Sequence, residues 1–498
     1  MKSAYYEEQW QTLKEAAKPQ LIESLSKRIA SNFIDRYYYS DEYNREHINL
    51  LCEMATYFDD EELNQITTKA LFGSIIERLC DDFEELQTET YNRLICQVVN
   101  FLCKLPEGVR IKSELYDFQL GTEEQLYQRI ESIRLTPDQK LPSIIRPKKV
   151  IILSRVTIGA DVAITSVICQ RIAKCYPDAQ VIVVGNDKLK QVFSEGSDIY
   201  VHELAYSRRG GLLEKFQVWL ELLTQVRELI KNLSPAEFLI LDPDSRLTQL
   251  GVLPLVPLQN YRFFNSRGKK GSAKHASMAQ LTNQWMDNIL GNEVFCYPKV
   301  WPSSSRQQIA ASYRAAVDPD GTVTLITINL GVGGNKRKRV PGDFEKNLIL
   351  TLLEGDNIRL ILDLGFGEEE RAQSTALLQA AKEAGIETAE TTFSQLQTVN
   401  VASRVVGVEC NIGEITSLIR KSDEFIGYDS ACQHIAAAES VKTFTIFAGT
   451  NNVRFIRRWQ ACGKNTSEII YVDTLTKDSY IDTENIIATL MDFRASGN

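Results

Sequence analysis

The hydrophobic positions follow one pattern in residues 1–140 and another in the rest of the chain. In the first part, apolar residues recur at spacings of three and four, as on one face of a helix; Ile95, Val98, Val99 and Leu102 form one such face. The period-two alternation of strands is scarce here. The pattern predicts an all-α region of about six helices.

After residue 145, short apolar runs rich in β-branched residues alternate with helical segments. Continuous apolar runs of this length are typical of parallel strands that are buried on both faces. Strand and helix in regular alternation indicate a doubly wound α/β architecture. The predicted strands lie at 148–156, 180–185, 237–242, 323–330, 359–365, 424–429 and 443–449.

The alternation stops at a segment rich in proline and serine, 297–307, and then restarts. This segment is a candidate linker, because proline and serine are common between domains. The fold class is therefore α/β, with two Rossmann-like doubly wound domains behind an all-α domain. The expected boundaries are an all-α domain at 1–140, Rossmann-like domains at 145–305 and 310–475, and a C-terminal helix at 476–498.

Composition restricts the class of protein. Of 498 residues, 44% are hydrophobic and 24% charged, as in ordinary folded proteins. No apolar run approaches the ~18–20 residues of a membrane-spanning helix, and the polar, acidic N-terminus is unlike a signal peptide. The ten cysteines are scattered without a C-x-x-C motif and there are only four histidines. We expect a cytoplasmic protein with reduced thiols and no metal site.

The charge is uneven along the chain. The net charge is −9, and residues 1–140 contribute about −10, which leaves about +1 for the remainder. An acidic region of this kind does not bind nucleic acid. Its acidic runs, 59–62 and 81–85, are either solvated helix faces or a docking surface for a protein partner.

The first candidate for chemistry follows the first predicted strand. Gly159 permits a tight turn, and Asp161 lies near the start of a helix. Ligands of open α/β sheets bind at the carboxyl ends of the strands, where a carboxylate can take a proton from a hydroxyl group. The alternative is that Asp161 caps the helix, since aspartate is a preferred capping residue.

The second candidate is a glycine-rich, basic loop after the strand at 323–330. Its glycines allow backbone N–H groups to approach a phosphate, and its cations suit a diphosphate. The spacing matches neither the Walker A motif nor G-x-G-x-x-G. A solvated basic loop and a nuclear import signal are the alternatives. The residues concerned are Gly331, Gly333, Gly334, Asn335, Lys336, Arg337, Lys338 and Arg339.

The third candidate is the segment 424–451. A predicted strand ends at Asp429 and Ser430, a helix follows at once with His434 one turn in, and the next strand ends at Gly449, Thr450 and Asn451. Helix starts of this kind bind anions through backbone N–H groups. Alternatively, Asp429 and Ser430 act only as caps, and His434 is a core histidine.

Two further features are ambiguous. Asp242 and Asp244 form a D-x-D arrangement, which holds a divalent metal in some glycosyltransferases but also suits a turn. The basic segment 266–275 includes Arg267 and Lys269. It is either a surface loop or a contact for an acidic acceptor or a lipid head group.

The ordered set of motifs over about 145–475 resembles glycosyltransferase family 9, the heptosyltransferase-like family. D-S-A-C-Q-H-I-A-A-A at 429–438, followed by a strand and G-T-N, is similar to the family's D-S-G-x-x-H-x-A-A-A and G-P-T. I-N-L-G-V-G-G-N-K-R-K-R at 328–339 resembles its donor loop, and I-G-A-D-V-A-I-T-S at 158–166 resembles its G-D-V-x-x-T opening. Ala160 is inserted relative to the family pattern, and Ala431 stands where the family has glycine.

The resemblance implies a GT-B fold, with the acceptor on the N-terminal Rossmann-like domain and a nucleotide-diphosphate-sugar on the C-terminal one. It implies inverting, metal-independent transfer without a cofactor, with Asp161 as general base and a glycan, lipid-linked or protein acceptor. Gly159, Arg267 and Lys269 are expected on the acceptor side. Expected donor-binding residues are Gly331, Gly334, Asn335, Lys336, Lys338, Arg339, Asp429, Ser430, His434, Gly449, Thr450 and Asn451.

Two other functions stay open at the level of sequence. A GT-B-type epimerase or hydrolase would need more carboxylates around the donor site than these motifs supply. A catalytically inactive GT-B module that binds a nucleotide-sugar or a protein partner is compatible with the departures at Ala160 and Ala431. Peripheral contact with a membrane is also compatible with the sequence.

Overall fold

The computed structural model describes residues 3–138, 140–194, 196–206, 210–268, 276–476 and 480–496. Residues 3–138 are helical, as predicted, but contain eight α-helices rather than about six. Pro19 opens a separate second helix, and Asn44, Asp60 and Thr122 cap further ones. The helices are α1 Ser3–Ala16, α2 Pro19–Ser40, α3 Arg45–Met54, α4 Glu61–Ala70, α5 Glu77–Asp81, α6 Glu85–Leu102, α7 Val109–Asp117 and α8 Glu123–Leu135, with a π-helical turn Leu71–Ile76 between α4 and α5.

The first α/β half contains a five-stranded sheet in the order β3-β2-β1-β4-β5. Its strands are β1 Lys149–Leu153, β2 Gln180–Gly185, β3 Ile199–Glu203, β4 Phe238–Asp242 and β5 Tyr261–Phe263. Strands β1 and β4 are parallel with Val150 opposite Leu239, and β4 and β5 are parallel with Ile240 opposite Tyr261. The helices are α9 Ile158–Ala160, α10 Ser166–Cys175, α11 Leu212–Ile230 and α12 Met278–Leu290.

The second half contains a seven-stranded parallel sheet in the order β12-β11-β10-β6-β7-β9-β8. Its strands are β6 Thr324–Asn329, β7 Ile358–Asp363, β8 Thr388–Thr392, β9 Val405–Glu409, β10 Glu424–Tyr428, β11 Lys442–Phe447 and β12 Ser467–Tyr471. Its helices are α13 Ser304–Val317, α14 Phe344–Leu352, α15 Glu368–Glu383, α16 Ile412–Ile419, α17 Ala431–Ala438, α18 Val453–Trp459 and α19 Thr483–Ser496.

Both sheets reverse their winding next to their first strand. In the second sheet, β6 lies between β7 and β10, with Thr327 opposite Ile361 and Phe425. The carboxyl ends of β6 and β10 therefore meet at a topological switch point, which is where open α/β sheets bind ligands. The predicted α/β class, two Rossmann-like doubly wound halves preceded by a helical region, is confirmed.

The protein divides into two compact units, each held together mainly by contacts among its own residues. Each unit combines pieces that are distant in sequence, whereas the predicted domains are continuous segments. The first unit is Met1–Val156, Val184–Asn186 and His202–Ser272; the second is Thr157–Val183, Asp187–Val201 and Ala273–Asn498. The helical region thus belongs to the same unit as β1, β4, β5 and α11. The helix that carries Asp161 belongs to the same unit as the second sheet.

The helical region is bonded to the strand-end loops of its unit. Arg129 on α8 donates hydrogen bonds to the carbonyl oxygens of Gly251 (2.8 Å) and Val252 (3.2 Å). Arg227 on α11 forms an ion pair with Glu114 on α7, with 2.6 Å between Nη2 and Oε2.

In the described part of the chain, no helix has both the length and the apolar character needed to cross a membrane.

Candidate active site

Asp161 lies inside a helical stretch that starts right after β1. Thr157 is the N-cap of α9, and residues Asp161–Thr165 form a π-helical turn that leads into α10. Asp161 is therefore not the N-cap residue of this helix. Its side chain is buried, with 1% of the residue exposed, and Oδ1 accepts a hydrogen bond of 2.7 Å from the hydroxyl of Thr165.

Gly159 brings this helix into close contact with the start of α17. A Cβ on Gly159 would lie 3.1 Å from Cα of Ala431 and 3.2 Å from Cδ2 of His434. No larger residue fits here without displacement of its neighbours. Asp161 is thereby placed next to the D-S-A-C-Q-H segment within one compact unit, although the two lie about 270 residues apart in the sequence.

His434 is part of the packing between these two helices. It is 5% exposed, and its ring makes an edge contact with Trp459, 6.1 Å between centroids. Burial lowers the pKa of His434 to about 4, with Asp429 opposing the shift. The histidine is consequently neutral at physiological pH and does not act as a cation at this site.

A helix begins directly after β10, as the sequence predicted. Ser430 is the N-cap, and its hydroxyl accepts from the backbone N–H of Cys432 at 3.3 Å. The same hydroxyl donates to Oδ1 of Asn329, the last residue of β6, at 3.3 Å. Nδ2 of Asn329 in turn donates to Asp363 at 2.6 Å. A buried carboxylate at the end of β7 thus orients the cap of α17.

The basic loop after β6 holds its cations in three different ways. Nζ of Lys338 lies 2.6 Å from Oδ2 of Asp429, so this lysine faces the start of α17. Arg339 is instead paired with the buried carboxylate of Glu345, 2.6 Å away, beneath the loop. Lys336 is exposed and pairs with Glu369 on the surface. Of the three predicted donor cations, Lys338 is the one that contacts the D-S motif.

The glycines of the same loop accommodate a carboxylate of the protein. Oε1 of Glu370 accepts from the N–H groups of Val332 and Gly333, both at 3.0 Å, and Oε2 accepts from Phe366 at 3.0 Å. A Cβ on Gly331 would lie 3.1 Å from Oε2 of Glu370. Gly334 has a φ of +81° with open space around it, and the side chain of Asn335 accepts from Arg337.

The turn after β11 lies against the basic loop. Gly449 has a φ of +76°, and a Cβ there would lie 2.8 Å from the carbonyl carbon of Arg337. Thr474 bridges the two segments: its hydroxyl accepts from the N–H of Gly449 at 2.9 Å and donates to the carbonyl of Arg337 at 2.7 Å. Thr450 accepts from the N–H of Asn452, while Asn451 is exposed.

The residues predicted on the acceptor side, other than Gly159, are Arg267 and Lys269. Arg267 is 3% exposed and pairs with Asp244, with Nε 3.0 Å from Oδ2. Lys269 lies outside the described residues. Asp242, the other half of the D-x-D arrangement, accepts from Thr248 and Tyr261, the latter at 2.6 Å. Both aspartates therefore have structural partners, and the described residues contain no cluster of metal-ligand side chains.

Sequence reasoning missed several residues of this site. They are polar residues at strand ends or inside helices, and their partners are distant in sequence, so no local spacing marks them. Only the position at the end of an apolar strand, shared by Asn329 and Asp363, could have pointed to them. The missed residues are Asn329, Asp363, Glu370, Gln433 and Thr474.

The class of the protein follows from this segment of the chain. Residues 368–476 match the family model of glycosyltransferase family 9 (heptosyltransferase), and the match includes the D-S-A-C-Q-H segment and the G-T-N turn. It confirms the resemblance found in the sequence. The match indicates that the protein is a glycosyltransferase, and it assigns residues 368–476 to the family 9, heptosyltransferase type.

Three solved structures with the same general architecture are similar to the chain at low identity. A family 9 glycosyltransferase from Veillonella parvula is 14% identical, with 68% of this chain and 90% of that chain covered and a TM-score of 0.45. The E. coli ADP-heptose LPS heptosyltransferase II is 13% identical (70% and 99% covered, TM-score 0.44). The E. coli heptosyltransferase WaaC with ADP is 13% identical (70% and 100% covered, TM-score 0.43). A search of curated proteins finds no match.

Proposed function

We propose that this glycosyltransferase moves a sugar from a nucleotide-diphosphate-sugar to an acceptor hydroxyl group, with inversion and without a metal ion. The observation that carries the proposal is the contact of Gly159 with Ala431 and His434. It brings a buried carboxylate, Asp161, and an anion-binding helix start into one compact unit. A base and a leaving-group site are the two parts that such a transfer needs.

The donor diphosphate binds at the switch point of the second sheet. The first-turn N–H groups of α17 carry the positive end of the helix dipole. Lys338 lies beside them, held by Asp429, whose other oxygen accepts from Gln433 at 2.6 Å. The turn at Gly449–Asn451 and the open space beside Gly334 complete the donor side, with Asn335 next to it in the loop.

The leaving group gains negative charge as its bond to the sugar breaks. Donors that are already in place stabilise this charge best, because they need no rearrangement during the reaction. Lys338 is the cation assigned to this role, since Arg339 is paired with Glu345 and Lys336 with Glu369. Arg339 supports the loop from below, and Lys336 contributes long-range charge.

Asp161 acts as the general base. Its carboxylate takes the proton of the acceptor hydroxyl while the acceptor oxygen forms a bond to the anomeric carbon and the bond to the diphosphate oxygen breaks. Attack on the face opposite the leaving group inverts the anomeric configuration. The hydrogen bond from Thr165 fixes the orientation of the carboxylate. General-base assistance of this kind contributes typically 10²–10⁴-fold to the rate.

The test replaces Asp161 and measures donor binding and turnover separately. Asp161→Asn should lower the release of nucleoside diphosphate from a bound nucleotide-sugar, with water as the default acceptor, by about 10²–10⁴-fold. The affinity for the nucleoside diphosphate should stay within about twofold, because Asp161 does not belong to the donor site.

Asp178→Asn is the matched control, since Asp178 is an exposed aspartate after α10. It should keep both the affinity and the turnover. Turnover by Asp161→Asn within threefold of that of the unmodified protein would overturn the assignment of the base. If the unmodified protein itself released no product, the result would favour an inactive nucleotide-sugar-binding module instead.

A further inference from the structure

The carboxyl edge of the first sheet collects arginines at the ends of three adjacent strands. Arg155 follows β1, Arg246 follows β4 and Arg267 follows β5. The carboxyl edge is where open α/β sheets bind their ligands. All three arginines belong to the unit that also contains the helical region.

One aromatic ring of the helical region lies against two of these cations. The guanidinium carbon of Arg267 is 4.6 Å from the ring centroid of Tyr91 on α6, and that of Arg246 is 5.9 Å from it. Tyr91 is fully buried and Arg267 is 3% exposed. Cation–π contacts satisfy the face of a guanidinium group but leave its N–H donors to find acceptors elsewhere.

Those acceptors are missing among the described residues. Nη1 of Arg246, Nη1 of Arg267 and the hydroxyl of Tyr91 are all buried and have no hydrogen-bond partner there. A buried donor without an acceptor is costly, and most of all when the donor is charged. Three such donors around one ring are the donor set that recognises an oxyanion.

The carboxylate nearby is already used. Asp244 accepts from Nε and Nη2 of Arg267, at 3.0 and 3.2 Å, and from the hydroxyl of Ser266, at 2.7 Å. Its Oδ2 also lies 3.5 Å from Nη1 of Arg155. Arg246 forms no salt bridge with a described residue. Glu77 also acts electrostatically on Arg246, so the three arginines outnumber the two carboxylates, Asp244 and Glu77, by one.

We propose that Arg246, Arg267 and Tyr91 form a binding site for an oxyanion, a carboxylate or a phosphate group of a ligand. The helical region then has a role in binding, because α6 supplies the ring and the hydroxyl group. This site is separate from the proposed donor site, whose cation is Lys338. It does not depend on the proposed mechanism.

The test is the thermal unfolding midpoint in sodium phosphate and in sodium malonate, each against sodium chloride at equal ionic strength. A ligand that binds only the folded protein raises this midpoint. Lys338→Met serves as the background in which the donor site no longer contributes. In that background, phosphate or malonate should raise the midpoint, and Arg246→Gln should at least halve the rise.

Arg227→Gln is the matched control, because Arg227 pairs with Glu114 on the surface of the same unit. It should keep the full rise. A rise with phosphate alone assigns a phosphate group, and a rise with malonate alone assigns a carboxylate. An equal rise in Arg246→Gln and Arg227→Gln, or no rise with either anion, would overturn the proposal.

Tyr91→Phe covers the case in which Arg246→Gln fails to fold. It retains the ring against both guanidinium groups and removes only the hydroxyl donor, so the protein should fold and the rise should shrink. A crystal soaked in selenate adds a direct readout. Anomalous density in hydrogen-bond contact with Nη1 of Arg246 or Arg267 is the expected result, and density only at other places would contradict it.

Discussion

The carboxyl edges of the two sheets both carry a cation paired with an aspartate, but the two cations differ in their exposure to solvent. At the edge of the first sheet, Arg267 is buried, pairs with Asp244 and lies against the ring of Tyr91. At the edge of the second sheet, Lys338 is partly exposed and pairs with Asp429 at the start of a helix. Both edges hold a cation beside an aspartate, but only the second leaves the cation in reach of solvent.

The difference shows how one architecture supplies two kinds of site. A buried arginine in a bidentate pair is part of the scaffold and binds a ligand only through donors that the pair leaves unused. A partly exposed lysine beside helix N–H groups can exchange its carboxylate partner for a phosphate at small cost. The second edge therefore suits a substrate that enters and leaves during each turnover.

The largest effect is expected from the removal of the charge at the second edge. Lys338→Met should weaken the binding of the preferred nucleoside diphosphate by about 10–100-fold, since hydrogen bonds to charged groups are worth about 1.5–3 kcal/mol. Isothermal titration calorimetry measures this directly. Lys346→Met, at an exposed position on α14, is the control and should bind normally; equal affinities of the two variants would remove Lys338 from the donor site.

A pH dependence of stability should reveal the buried carboxylate of Asp363, which lies beneath the proposed donor site. Burial raises the pKa of Asp363 to about 6, above the ~3.9 of an unfolded chain. The folded protein thus holds this proton to higher pH, and the free energy of unfolding falls as the pH rises from about 4 to about 6. Asp363→Asn has no such proton, so its free energy of unfolding should not fall for this reason. Between pH 4.5 and pH 7.5, the unmodified protein should therefore lose about 2 kcal/mol more of its unfolding free energy than the variant.

Urea unfolding at the two pH values measures the effect. Asp356→Asn, an exposed aspartate before β7, controls for the loss of one negative charge and should leave the pH profile unchanged. Burial also raises the pKa of Asp242 to about 6, so part of the pH dependence should persist in Asp363→Asn. A profile that is identical for Asp363→Asn and the unmodified protein would contradict the assignment.

Two glycines distinguish the cost of backbone strain from the cost of the contact between the turn after β11 and the basic loop after β6. Gly449 (φ +76°) and Gly385 (φ +81°) both have left-handed backbone conformations, but a Cβ meets the backbone of Arg337 only at Gly449. Alanine at either position should cost about 1 kcal/mol of stability from strain, and Gly449→Ala about 1 kcal/mol more from the contact. Equal losses of unfolding free energy for the two variants in urea would mean that the backbone of Arg337 does not restrict a side chain at position 449.

The smallest effect is expected at the exposed end of the basic loop. The side chains of Lys336 and Glu369 are 78% and 55% exposed, and their pair is screened by solvent. Lys336→Ala should change the affinity for the nucleoside diphosphate by at most about threefold. A tenfold loss in calorimetry would show that Lys336, rather than Lys338 alone, contacts the diphosphate.

The sequence predicted the central strands well and the edge strands poorly. Strands β2 and β10 begin and end within one or two residues of the predicted runs, because both faces are buried and, after the first residue, no position carries a charged side chain. Strands β3, β5, β8, β9 and β12 were not among the predicted strands. All of them except β9 lie at sheet edges, and these edge strands include polar residues or are only three residues long, so no long apolar run marks them.

The site was predictable in its motifs but not in its pairings. The order of strands places Asp429, Gly449 and the basic loop at one edge, and this could be read from the apolar runs. The sequence could not show which cation faces the start of the helix. Lys338 and Arg339 are neighbours in sequence, but Lys338 pairs with Asp429 and Arg339 pairs with Glu345. The contact of Gly159 with α17 joins segments about 270 residues apart and leaves no local signal.

The most direct test of the central claim is a thermal-shift screen of the unmodified protein against ADP, UDP, GDP and CDP in the presence of EDTA. The account predicts that one nucleoside diphosphate raises the unfolding midpoint by several degrees at saturation, since a ligand at 100 times its Kd adds about 2.7 kcal/mol, and that EDTA does not reduce the rise. A rise that vanishes with EDTA would contradict the metal-independent donor site. No rise with any of the four would contradict the donor site itself.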